Sequence, residues 1–152
     1  LVGNYAGMEK YYDSLMRYID GLGIREHVIF PGHISFAKIL AYYRSAHLFL
    51  CMSDHEGFCV PIVEAMYFGI PIVAKNTTAV GETLGGGGIL LKDQDPAIAA
   101  AAIHRLLTDS KLKERCKERQ QARLRDFDHD RIERQILEKI ATFTGGSRTA
   151  KP

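Results

Sequence analysis

Ser53-Asp54-His55-Glu56-Gly57-Phe58-Cys59-Val60-Pro61-Ile62-Val63-Glu64-Ala65-Met66 is the stretch around which the chain is organised. The apolar run Leu48-Phe49-Leu50-Cys51-Met52 leads into it, and a helical pattern begins near Val60. That order predicts a strand, a tight polar loop and a helix. Pro61 suits the first helical turn, where its missing N–H is not needed and its fixed φ is already helical. Two carboxylates mark the junction. Glu56 stands in the loop at the end of the strand and Glu64 one turn into the helix, so both are placed to face the mouth of one crevice.

Outward from this stretch, short apolar runs at 1–3, 28–30, 47–52, 72–74 and 89–91 read as strands that alternate with helical patterns. A helix carrying Tyr11, Leu15, Tyr18, Ile19 and Leu22 near one face is expected to stop at Gly21 and Gly23. Ser35 reads as the N-cap of a helix burying Ile39, Leu40 and Tyr43, and Asp95-Pro96 as a cap followed by proline at the first helical position. The four glycines at 85–88 are expected to be flexible and outside any element. Residues 110–143 read as charged helices broken at Asp126-Phe127-Asp128, with a disordered tail over 144–152. Strands alternating with helices predict an α/β fold, a Rossmann-like parallel sheet of about five strands with helices on both faces. Such sheets bind ligands beyond the carboxyl ends of their strands.

At 152 residues and 46% apolar content the chain is long enough for one domain, expected over 1–143. A net charge of +2 calls for neither nucleic acid nor an acidic partner. The three cysteines, Cys51, Cys59 and Cys116, have no paired spacing, which favours free thiols in a reducing, cytoplasmic setting. No apolar run approaches a membrane span, and the N-terminus lacks signal-peptide features. The chain starts at Leu1-Val2-Gly3 without an initiator Met and reads as a piece of something longer.

Each candidate residue has a functional and an ordinary reading. Glu56 suits hydrogen bonding to a polyhydroxylated ligand, or is a solvated loop carboxylate. Glu64, flanked by Ile62, Val63, Ala65 and Met66, needs a partner if buried, such as a ligand diol or an N–H group. The backbone N–H groups of Cys59 and Val60 at a helix start favour an anion such as phosphate. Cys59 there is a nucleophile of depressed pKa or, more commonly, a small packing residue. His33, His55, Cys51 and Cys59 show no zinc-like spacing, so no metal is expected. Lys75 is a phosphate contact or a solvated lysine. The basic residues between Lys111 and Arg134 interleave with acidic ones and read as a solvated helix surface.

Glu56-Gly57-Phe58 followed by Glu64-Ala65-Met66 resembles the signature of retaining glycosyltransferases of the GT-B fold, the group-1 family. Gly3, the run 28–30 with Gly32, Tyr42-Tyr43-Arg44-Ser45-Ala46-His47, Gly69-Ile70-Pro71-Ile72-Val73-Ala74 and Gly81-Glu82 extend the resemblance to about Phe143. It implies the donor-binding half of an enzyme that moves a sugar from a nucleotide diphosphate sugar to an acceptor with retained configuration. Under that resemblance Glu56 is the catalytic position, near the donor sugar hydroxyls together with Gly57, Phe58 and Cys59. Cys59 and Val60 approach the diphosphate, Glu64 takes the ribose diol, and Gly32, His33 and Ile34 lie against the base. The family works without a metal or other cofactor, the nucleotide sugar being a co-substrate. Positive groups and helix N-termini then stabilise the departing diphosphate.

Two departures from the family pattern follow. Cys59 stands where glycine is common. The first strand and helix of the donor half, with their diphosphate-gripping Arg and Lys, and the acceptor domain are missing from this chain, so it is expected to be inactive alone. Without that central strand, residues 1–3 are expected to pair with 47–52, or a second copy to fill the gap in a strand-sharing dimer. Peripheral membrane association of the full-length enzyme is a further option. The competing readings are a non-catalytic nucleotide-sugar binding module and a sugar-nucleotide epimerase of related fold. Donor base, sugar and acceptor are not specified by these residues.

Overall fold

A computed structural model of the chain describes Gly3 and residues 5–144. The chain divides between Ser45 and Ala46 into two compact units. The N-terminal unit holds α1 (Glu9–Gly21), a 3-10 turn at Arg25–His27 and α2 (Phe36–Ser45). The carbonyl of Ser35 accepts from the N–H groups of Lys38 and Ile39, starting α2 where the cap was expected. Ile39, Leu40 and Tyr43 are half-buried on it. Gly23, with φ of 67°, closes α1 in the left-handed conformation that glycine adopts without strain.

The C-terminal unit runs β1 (Phe49–Cys51), α3 (Val60–Tyr67), β2 (Ile72–Lys75), α4 (Val80–Leu84), β3 (Ile89–Leu91), α5 (Pro96–Thr108), α6 (Ser110–Leu124), a 3-10 turn (Arg125–Phe127) and α7 (His129–Phe143). Its sheet is parallel in the order β1-β2-β3, with Leu50 opposite Val73 and Ala74 opposite Leu90. Consecutive strand residues point to opposite faces, and Ile72, Val73 and Ala74 are all buried. Both faces of β2 are therefore covered. On one, Val73 packs with Leu91, Ala99, Leu106 and Cys116 of β3, α5 and α6. From α3, Ile62, Ala65 and Met66 are buried.

The helix signals read from the sequence are realised here. Asp95 accepts from the Ala97 N–H at 2.8 Å, with Pro96 opening α5. Asp128 caps α7 by accepting from the Arg131 N–H at 3.2 Å, after the break at Arg125–Phe127. Among the described residues no helix is long and apolar enough to cross a membrane.

Two expectations need correction. The sheet has three strands among the described residues, where about five were expected. Val28 is extended, with φ of −120° and ψ of 120°, and among the described residues 28–30 is assigned to no sheet. An apolar run favours an extended backbone, whereas membership of a sheet is decided by the segment paired with it. The pairing of 1–3 with 47–52 and the tail over 145–152 lie outside the described residues.

The glycines at 85–88 form no element, as expected, but they are closely packed. A Cβ on Gly88 would stand 2.4 Å from the Ile72 carbonyl oxygen, and one on Gly87 2.7 Å from Cγ of Gln120. Gln120, fully buried on α6, donates to the carbonyls of Ile70 (3.0 Å) and Gly87 (2.8 Å). These contacts join the amino ends of β2 and β3. At Gly88 this is a close approach of backbone to backbone, which only a residue without a Cβ permits.

Candidate functional site

The loop between β1 and α3 carries Glu56, Gly57, Phe58 and Cys59 and is held by the loops that follow the other two strands. The Thr78 hydroxyl accepts from the Glu56 N–H (2.9 Å) and donates to the Glu56 carbonyl (2.6 Å), fixing that residue's backbone from both sides. The Thr77 hydroxyl donates to the Ser53 carbonyl at 2.9 Å. The buried Thr83 hydroxyl of α4 donates to the Phe58 carbonyl at 2.6 Å. Asp54 accepts from Lys75 Nζ and, from the segment after β3, from Gln94 Nε2. Three carboxyl-end loops thus converge on one residue stretch.

A second support comes from behind. The Phe58 ring meets Phe127 edge-on, centroids 5.4 Å apart, and the Arg123 guanidinium lies 4.7 Å above the Phe127 ring. Arg123 also donates to the carbonyls of Glu82 and Thr83, the last turn of α4, and pairs with Asp126. Thr77 and Thr78 belong to the polar loop at 75–78 that the sequence places at the carboxyl end of β2, whereas Thr83, Arg123 and Phe127 were missed. Arg123 and Phe127 had no signal, being 65 and 69 positions from Phe58.

Cys59 is buried and left-handed (φ 66°), directly before α3. That conformation explains why glycine would be natural at this position. Its thiol is pushed up to about 12, chiefly by burial, with the neighbouring Cys51 and the Glu56 charge adding to it. A buried thiol that keeps its proton is a poor nucleophile, so the burial of Cys59 favours the packing reading over the nucleophilic one in the absence of a cation. Lys75 is engaged with Asp54, whose carboxyl is held below the usual range by that ammonium group.

On α3, Val60 and Glu64 stand one turn apart on the face opposite the buried Ile62, Ala65 and Met66, with Glu64 half-buried. The Ile62 N–H turns back to the Cys59 carbonyl at 3.0 Å and Pro61 has no N–H, so among the described residues the amides of Cys59 and Val60 are the donors that remain at this helix start. Cys51, Glu56 and Cys59 place one donor atom each within 4.8 Å of the others, a set capable of holding a metal ion. His33 and His55 are not in that set. In the N-terminal unit, Ile34 lines a cleft of about 510 Å³ with Pro31, Lys38, Ala41 and Tyr42. Gly32 is buried there, a Cβ on it meeting the Tyr5 ring at 3.4 Å, and His33 is exposed.

The family described as glycosyl transferases group 1 matches residues 2–123. The chain is 28% identical over 138 residues to O-antigen chain mannosyltransferase B of Escherichia coli, covering 90% of this chain and 35% of that protein. The crystal structure of Anabaena HepE in complex with UDP and glucose superposes with a TM-score of 0.81 at 28% identity, covering 93% of this chain and 40% of that one. The same protein in complex with UDP-glucose gives a TM-score of 0.80. The chain therefore spans between a third and a half of the length of these relatives.

Proposed function

The chain belongs to the group 1 glycosyltransferases, and from that premise we propose that it is the donor-binding part of an enzyme transferring a sugar, with retention, from a nucleoside diphosphate sugar. One observation carries the reading. The Glu56-Gly57-Phe58-Cys59 backbone is clasped at the carboxyl end of a parallel sheet and runs straight into a helix N-terminus. The HepE complexes with UDP, glucose and UDP-glucose support a nucleotide sugar as the ligand.

In this reading the Glu56 carboxylate, half-buried on a backbone that Thr78 holds still, accepts from sugar hydroxyls at the reacting centre. Gly57, Phe58 and Cys59 present main chain to the sugar. The amides of Cys59 and Val60 and the positive end of α3 meet the diphosphate, where negative charge grows as the glycosidic bond breaks. Glu64, one turn further, takes the ribose diol. Gly32, His33 and Ile34 of the N-terminal unit are assigned the base. No resident metal or other cofactor is required for the transfer, because fixed donors stabilise the leaving group. The donor role is assigned to 1–143, in a cytoplasmic enzyme whose acceptor-binding portion lies in the longer protein. The 152-residue chain alone is then inactive. The outer position of β1 in the described sheet supports strand addition at that edge, by the longer protein or a second copy.

The test is calorimetric titration of UDP- and GDP-sugars into the longer protein, with a transfer assay on each. A nucleotide sugar should bind, Glu64→Ala should weaken it about tenfold by loss of the ribose contact, and Glu56→Gln should lower turnover far more than affinity. Failure of every nucleotide sugar to bind the longer protein overturns the reading. Transfer by the 152-residue chain alone overturns its inactivity.

A further inference from the structure

Cys51 closes β1 and Cys59 precedes α3, and both side chains are buried. Their Sγ atoms lie 3.9 Å apart, and both are free thiols. A tetrahedral zinc with Zn–S bonds of about 2.3 Å holds two thiolates about 3.8 Å apart. The sulfurs are thus already at the spacing such an ion would impose. The Glu56 carboxylate supplies a third donor within 4.8 Å of both.

The three ligands also start from fixed backbones. Cys51 is paired with Ala74 in the sheet. Glu56 is held through its N–H and its carbonyl by Thr78. The Cys59 carbonyl accepts from Ile62 at the start of α3. Little order has to be imposed on binding, which is the usual cost of assembling a site from loops. Two sulfurs and one carboxylate suit a borderline or soft divalent cation, whereas magnesium and calcium take oxygen sets. Three protein ligands leave a fourth position for water.

We propose that Cys51, Glu56 and Cys59 form an inhibitory site for a divalent cation of the zinc class, whose occupation excludes the sugar donor. On binding, the cation takes two thiolates and one carboxylate, and the two thiol protons pass to solvent. No oxidant or reductant takes part. The inhibition half rests on the assignment of Glu56 and Cys59 to the donor sugar, since a carboxylate bound to metal no longer accepts from sugar hydroxyls. The site itself does not rest on that assignment.

Cobalt(II) is the probe, added to the chain kept reduced by a non-thiol phosphine. A thiolate-to-cobalt charge-transfer band in the near ultraviolet is expected, bleached by one equivalent of zinc. Cys51→Ser and Cys59→Gly should each abolish it, Glu56→Gln should weaken cobalt affinity at least tenfold, and Cys116→Ser should keep the band. Cys59→Gly places glycine on a left-handed backbone, so its fold is retained, as circular dichroism will report. Absence of the band from the unaltered chain, its persistence in Cys59→Gly, or its loss in Cys116→Ser overturns the site. In the longer protein, zinc should weaken UDP-glucose binding at least tenfold, and the response should vanish in Cys51→Ser. A cobalt band with undiminished UDP-glucose binding overturns the inhibition. A longer protein that binds no nucleotide sugar without metal overturns the donor reading, and the cobalt band still decides the site.

Discussion

The two ends of the sheet are built by opposite means. At the amino ends of β2 and β3 the chain is joined by backbone approaching backbone, Gly88 against the Ile72 carbonyl, and by the fully buried amide of Gln120. At the carboxyl ends it is joined by side chains that are partly in solvent: the hydroxyls of Thr77 and Thr78 and the Lys75–Asp54 pair. Close packing admits one arrangement, because a missing or added atom has nowhere to be absorbed. Side-chain clasps can lengthen or re-form as a ligand arrives. The C-terminal unit therefore pairs a fixed end with an adjustable one, and the residues proposed for the sugar, diphosphate and ribose stand on the adjustable one.

That contrast breaks most readily at the fixed end. Gly88→Ala forces a Cβ into the Ile72 carbonyl and should cost about 3 kcal/mol in urea unfolding, the upper end for overpacking. A loss below 1 kcal/mol would mean that the run yields, and the contrast would fall. Gln120→Leu leaves two buried carbonyls without their donor, which should cost roughly 2 kcal/mol. The loss is limited because the Gln120 Oε1 has no hydrogen-bond partner among the described residues, and leucine removes that orphan. At the other end, Thr83→Val deletes the bond to the Phe58 carbonyl and should cost about 1 kcal/mol. Donor affinity in the longer protein should fall about fivefold with it.

The smallest effects separate the buried core from the carboxyl-end clasps by pH. Burial lifts the Cys116 thiol above its ordinary value. The unfolded chain loses that proton first, so this contribution is whole below about pH 8.5 and declines as pH rises toward the folded value. Alkaline urea titrations should show a decline that Cys116→Ala lessens, the raised Cys59 thiol supplying the remainder. Asp54 has the opposite sign. Its carboxyl is held low by Lys75, so its contribution is present above about pH 4 and is lost as pH falls through the lowered folded value. The group is exposed, so a carboxylate NMR titration is the suitable measurement, with Lys75→Met expected to return Asp54 to the ordinary range. An unmoved Asp54 would remove the charge clasp from the adjustable end.

How much of this was legible follows the range of each interaction. β1, β2 and β3 were readable because buried parallel strands are continuous apolar runs, and the Asp95-Pro96 start because a cap acts within two residues. The Glu56 to Val60 junction was readable as a strand, loop and helix for the same local reason. The glycines at 85–88 were misjudged because their neighbour, Gln120, lies 33 positions from Gly87. The run at 28–30 was read as a strand because it is short, apolar and cut off by Pro31-Gly32, although a ladder depends on another segment. The clasp of Thr78 on Glu56 spans 22 positions, and the left-handed turn at Cys59 contradicts what a cysteine alone suggests. Local chemistry shows in the sequence, whereas long-range contacts appear only once the chain is folded.

Phe127 lies four residues beyond the last position matched to the family, yet its ring backs Phe58 and is gripped by Arg123. A gene fragment trimmed at the family boundary would keep every motif residue and lose the wedge behind them. The heritable unit of this site is therefore longer than the pattern that identifies it, and recombination that grafts the donor half onto a new partner must carry Phe127 along.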